Sequence, residues 1–156
     1  MARPIKLVLD TNVVLDWLVF KDPDAHSLRD GVRAGCVRVV THALAFDELR
    51  RVLSYPQLDL AAAMQSEILL EYQTQTSVGA MPDDFSREHL MLPIGFPRCR
   101  DGDDDHFLAL AFHAQADALV TRDNTVLSLR ARAERFGVKV INVQQMIEML
   151  TERSIE

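Results

Sequence analysis

The chain is poor in cysteine. Cys36 and Cys99 are its only two, too few for a disulfide framework, so free thiols are expected. No apolar run approaches the roughly 20 residues that span a bilayer, so no membrane segment is expected. The opening MARPIKLVLD has basic residues but too short an apolar stretch for a secretory signal, which points to the cytoplasm. The five histidines show no HxxxH pairing and there is no CxxC, which argues against a zinc site. Nucleotide-binding motifs of the GxxxxGK or GxGxxG type are absent. So are internal repeats, low-complexity tracts and linkers, and one domain over residues 1–156 is the expectation. Positive charge is not in excess either. A formal net charge of -6 counts against a simple non-specific nucleic-acid binder. It leaves open an enzyme whose carboxylates hold cations.

What is present is an ordinary globular composition, 48% hydrophobic and 26% charged. Strand-like and helix-like runs alternate. IKLVL (5–9) reads as a buried strand stopping at Asp10, and residues 12–19 as a helix. Pro23 and Asp24 open a second helix that Gly35 closes. CVRVVT (36–41) is a strand. HALAFDELRRVLS (42–54) is a helix capped by Thr41 or His42. Residues 59–75 form another helix with Asp59 as N-cap. Residues 78–102 are rich in Pro and Gly, and a short strand is expected near 89–92 because a structureless loop of that length is rare. A helix follows at 104–115, a strand at 118–121, a helix at about 124–136 ending before Gly137, a strand in VKVIN, and a last helix at 143–152. This alternation predicts a three-layer α/β/α sandwich with a central, mainly parallel sheet.

In such a sheet, ligands collect at the carboxyl ends of the strands. Asp10 follows the first strand directly, and Asp123 lies two residues beyond strand 118–121. Helix 104–115 runs antiparallel to the strand it feeds, so its first turn shares that rim with Asp103, Asp104 and Asp105. Asp105 falls on one face with Leu108 and Phe112 and should look inward, whereas Asp103 or Asp104 suits the helix cap. On helix 42–54 the apolar stripe is Leu44, Ala45, Leu49 and Val52, and Glu48 lies within it. An inward Glu is costly unless paired or metal-bound. Asp22, Asp24, Asp83 and Asp84 have no such placement and read as solvated.

Clustered carboxylates raise one another's pKa, and a hard divalent cation relieves that repulsion. Mg²⁺ or Mn²⁺ held by oxygens would suit phosphodiester hydrolysis. Of the 17 basic residues 14 are Arg, whose planar fork suits phosphate.

The segments LVLDTNVVLDWL, ALAFDELRRVL and DGDDDHFLALAFHAQADALVTRDNTVL resemble the three acidic blocks of the PIN domain. The third is closest to the VapC-like branch of toxin components. The resemblance spans residues 5 to about 142. By position it implies that Asp10, Glu48, Asp105 and Asp123 form the catalytic metal site, with Asp103 as a further candidate. Thr11, Asn12 and Thr121 would orient carboxylates or waters. Arg98, Arg100 and Arg122 are the candidates for contact with RNA. The family further implies Mg²⁺- or Mn²⁺-dependent ribonuclease activity and homodimers, and VapC-like members imply inhibition by a cognate antitoxin.

Rival readings fit less well. An Asp-nucleophile phosphatase wants a second Asp at the position of Asn12. A receiver domain places its acceptor later in the chain. The alternative from another class is a catalytically silent PIN-fold module that binds RNA or protein. Two apolar helix faces, one with Leu60, Met64, Ile68 and Tyr72 and one with Val143, Met146, Ile147 and Leu150, either complete the core or contribute to a dimer or antitoxin groove.

Overall fold

The computed structural model describes residues 3–77, 91–99, 102 and 105–155. Among these residues five parallel strands form one sheet: β1 (Ile5–Leu9), β2 (Val37–Val40), β3 (Thr76–Ser77), β4 (Ala118–Val120) and β5 (Val140–Ile141), in the order β3-β2-β1-β4-β5. β1 is central, with Ile5, Leu7 and Leu9 buried on one face and Val8 on the other, as a strand covered on two sides requires. Its Leu7 pairs with Val39 on one side and Ala118 on the other.

Alternation along the strands divides the core in two. Leu7, Leu9, Val39, Ala118, Val120 and Ile141 point to one face. There they meet α1 (Thr11–Leu18), α2 (His26–Arg33), α4 (Ala62–Gln75) and α8 (Val143–Ile155), with Leu49 and Leu53 of α3 (Ala43–Leu53). Val8, Val40, Leu119 and Val140 point to the other face. They pack on α5 (Asp105–His113), α6 (Asn124–Leu127), α7 (Arg130–Glu134) and the segment 92–99. The result is the three-layer α/β/α sandwich.

Several local expectations need correction. The helix expected from Asp59 starts at Ala62. Asp59 instead ends a 3-10 turn, Pro56–Leu58, with a left-handed φ of 49°. Residues 89 and 90 lie outside the described residues, and Met91 and Leu92 carry no strand. The additional strand is β3, which follows α4 directly and pairs Val39 with Thr76. The single helix expected at 124–136 is two, α6 and α7. Between them the Ser128 hydroxyl donates to the Thr125 carbonyl at 2.6 Å, and the Leu129 amide reaches back only to Val126. The apolar stripe of α3 is Ala45, Leu49 and Leu53, while Leu44 is exposed, so the helix is rotated from the expected face.

Of the two apolar helix faces, Val143, Met146 and Leu150 are buried in the core, as are Ile68 and Tyr72, whereas Met64 is exposed. No helix among the described residues is long and apolar enough to cross a membrane.

The strand order fixes where a site can form. From β1 the chain winds outward through β2 to β3, then crosses back to β4 and winds the other way to β5. Connections leave β1 and β4 in opposite directions, which opens a crevice at their carboxyl ends, the topological switch point. Asp10 follows β1, and Thr121, Arg122 and Asp123 follow β4.

A candidate acidic site at the switch point

Asp10 stands at the N-cap of α1, yet its side chain makes no cap bond to that helix. Its Oδ2 instead accepts a hydrogen bond of 2.7 Å from the hydroxyl of Thr121, which is fully buried. The same hydroxyl oxygen accepts from the Asp123 amide at 3.0 Å. One threonine thus links the acid after β1 to the backbone of the acid after β4. The carboxylate of Asp123 caps α6, its Oδ1 accepting from the Thr125 amide at 2.8 Å.

Asp10 is buried, with 7% exposure. Burial pushes its pKa up, bonds from Thr121 and the Thr11 backbone oppose that, and the nearby charge of Asp123 adds to it. Among the described residues no basic side chain pairs with Asp10, Asp105 or Asp123.

Glu48 and Asp105 stand on α3 and α5. Glu48 is half-buried, its Oε2 accepts from the Thr11 hydroxyl, and Arg51 lies 3.9 Å from its Oε1. Thr11 therefore bridges from the first acid toward the third helix. Asp105 opens α5, and its Oδ1 accepts from the Cys99 amide at 2.8 Å, which ties segment 92–99 to the first turn of that helix. Beside Glu48, a pocket of about 230 Å³ is lined by Leu44, Asp47, Glu48, Arg51 and His106. Asn12 accepts from the Arg122 amide at 3.3 Å. Arg98 is exposed next to Cys99. Asp103 and Arg100 lie outside the described residues.

The donor set is all oxygen, which suits Mg²⁺ or Mn²⁺. Among the described residues no three His, Cys, Asp or Glu side chains come together closely enough to cage an ion. Mg²⁺ does not require a cage. It commonly takes one or two carboxylates and keeps several waters. A buried carboxylate repelled by a second one, with no cation of the described chain beside it, fits such an ion.

Asp16 and His106 were not singled out from sequence, His42 was read only as a helix cap, and Asp22, read as solvated, lies 3.8 Å from the Arg122 guanidinium. An acid inside the apolar run VVLDWL was the available signal for Asp16. His42 caps α3: its Nδ1 accepts from the Ala45 amide at 3.0 Å, so Nε2 carries the hydrogen and donates to the His106 carbonyl at 3.2 Å. Burial lowers the pKa of His42. Burial, then the charges of His42 and Arg51, push His106 down to about 4, and its buried Nδ1 has no partner among the described residues.

Burial therefore disfavours a proton on either ring in the folded state relative to the unfolded chain. The stability linked to His106 is full above about pH 6.5 and declines as pH falls toward 4. His106→Phe should reduce the difference in Tm between about pH 7.5 and about pH 5. Thermal melts at both pH values measure it, and an unchanged difference rules out His106 as a source of acid sensitivity.

Fold and rim together define a doubly wound parallel α/β protein with acids at its switch point. A family model described as PIN domain matches residues 6–125, and the chain belongs to the PIN domain family, a nuclease-type fold. The matched span contains Asp10, Glu48, Asp105 and Asp123. Comparison with curated proteins and with solved structures gave no match.

Proposed function

We propose that this protein is a Mg²⁺- or Mn²⁺-dependent endoribonuclease, with Asp10, Glu48, Asp105 and Asp123 as its acidic site, and that it acts as the toxin of a toxin–antitoxin pair. The observation that carries the reading is the Asp10–Thr121–Asp123 link at the switch point, where the Asp10 carboxylate is tied through Thr121 to the backbone of Asp123, whose charge opposes its ionisation. Membership of the PIN family and the likeness of the third acidic block to the VapC-like branch support it. RNA is the proposed substrate, and a cognate antitoxin and a second copy of the chain are the proposed protein partners.

Asp10 and Asp123 would bind the cation, and Asp105 and Glu48 would orient the waters and phosphate oxygens around it. When bound, a divalent cation neutralises charge on the phosphate and lowers the pKa of water at its surface. Thr121 holds the Asp10 carboxylate in one orientation and fixes the start of the Asp123 loop. Thr11 does the same for Glu48. Asp105 anchors segment 92–99 to the first turn of α5. Water would attack phosphorus in line with the departing 3′ oxygen, so products carry 5′-phosphate and 3′-hydroxyl ends. A recessed rim admits single-stranded or looped RNA more readily than a duplex.

The test is cleavage of single-stranded RNA with Mn²⁺ and with excess EDTA, with the product ends mapped. Undiminished cleavage in EDTA, or 2′,3′-cyclic phosphate ends, would contradict the mechanism. The rival is a catalytically silent PIN module that binds RNA or protein. The observation that favours it is that the described acids do not close into a three-ligand cage. RNA binding without cleavage in Mn²⁺ would establish that rival.

A further inference from the structure

Arg122 stands between Thr121 and Asp123, where a guanidinium could extend to meet phosphate. It is laid back over α1 instead. Its Nε donates to Oδ2 of Asp16, its Nη2 lies 3.8 Å from Oδ2 of Asp22, and its amide donates to Oδ1 of Asn12. Asp16 is nine-tenths buried on α1, where an unpaired carboxylate would be costly. Asp22 reaches the same guanidinium because the chain turns back after α1. Lys21 takes a left-handed φ of 49°, and the Asp22 amide donates to the Asp16 carbonyl at 2.9 Å. The other Asp22 oxygen accepts from the Asp24 amide at 2.9 Å, which fixes the orientation of that carboxylate. Side-chain and main-chain attachments from Arg122 therefore join the β4–α6 loop to α1.

We propose that Arg122, gripped by Asp16 and Asp22, is a positioning residue that clamps the loop bearing Asp123 against the helix that follows Asp10. The proposal rests on the metal-dependent nuclease reading. Asp10 and Asp123 belong to separate elements and repel each other. Thr121 restrains Asp10 and the backbone of Asp123. The clamp adds a restraint from the outer side of the loop, and its guanidinium balances two acids that would otherwise add to the negative field. An arginine committed in this way is a brace for the site more than a contact for RNA.

The test compares wild type with Arg122→Gln, Asp16→Asn, Arg122→Lys and the double variant Arg122→Gln/Asp16→Asn. Steady-state RNA cleavage, the Mn²⁺ dependence of melting, and hydrogen exchange of the metal-free protein are measured on each. Either single loss should lower kcat about tenfold or more with KM for RNA unchanged. It should also raise the Mn²⁺ concentration needed for half of the melting shift. Exchange at the Asp123 and Thr125 amides should quicken about tenfold or more, while Leu9 and Val120 keep their protection. The double variant should be no worse than either single, since the two side chains act as one unit. Arg122→Lys should recover part of each effect.

A raised KM with kcat and exchange unchanged would overturn the proposal and make Arg122 an RNA contact. Uniform loss of protection across the sheet, with the Mn²⁺ response unchanged, would overturn it in favour of a general brace. Wild-type protein that cleaves no RNA in Mn²⁺ defeats the nuclease reading separately, and the exchange pattern still decides the clamp.

Discussion

Replacing Asp10, Asp105 or Asp123 by Asn is expected to slow RNA cleavage at least about a hundredfold, roughly 2.7 kcal/mol of barrier. Each substitution keeps the shape of the side chain and removes its charge. Asn at position 10 can still accept from the Thr121 hydroxyl, so the fold should be preserved. Combined substitutions should fall far short of additivity, because residues that share one ion act together. Asp30→Asn is the control, an exposed acid paired with Arg29, and it should leave the rate unchanged.

Stability supplies an independent reading of the same variants. A carboxyl whose pKa is raised by folding is costly to ionise in the native state. That cost is present above the raised pKa and recedes as pH falls through it. Metal-free Asp10→Asn should therefore melt at or above the wild-type temperature near neutral pH. It should also lose the stabilisation that Mn²⁺ gives wild type, since a ligand stabilises only by binding the folded state. A lower Tm without metal, together with an intact Mn²⁺ shift, would mean that Asp10 is a structural cap.

Thr121→Val carries the second large expectation. Valine matches threonine in shape but has no hydroxyl. The substitution removes the donor to Asp10 and the acceptor for the Asp123 amide at a position with no exposure. Leaving such a group unsatisfied should cost about 1–3 kcal/mol of stability. The rate should fall about tenfold or more as the two acids lose their common link. Thr121→Ser should recover most of both. Chemical denaturation and RNA cleavage measured on the same preparations check this. A valine variant that is less stable but fully active would show that the hydroxyl supports the fold and not the site.

Much of this was legible in the sequence because the chemistry was placed by topology. Strands alternating with helices make a parallel sheet, and in a parallel sheet Asp10 and Asp123 must share an edge whatever the detail of packing. That inference did not depend on helix boundaries. The errors fell where a tertiary contact overrode a local signal. Asp59 had the chemistry of a helix cap, but a left-handed turn after Pro56–Leu58 used it first. Leu44 fitted the periodicity of α3, yet Leu49 and Leu53 set the rotation by packing in the core, and Leu44 was left outside. The sheet's outer strand, Thr76–Ser77, is too short to announce itself. Its two residues are strand because Val39 and Val40 of β2 offer an open edge.

The ion pairs of Arg122 with Asp16 and Asp22 were illegible for a different reason. Read one residue at a time, Asp22 looked solvated and Arg122 looked free for RNA. Their ion pairs exist because α1 and the β4–α6 loop meet, a contact between residues 106 apart in the chain. His106 likewise gained its meaning from His42, which faces it across the start of α3 and α5.

The central claim is that Asp10 and Asp123 share a divalent cation. Anomalous diffraction from crystals grown in Mn²⁺ tests it most directly. The account predicts an anomalous peak in contact with both carboxylates in wild type, and none there in Asp123→Asn crystals. A wild-type map with no peak at the ends of β1 and β4, or a peak that survives unchanged in Asp123→Asn, would contradict it.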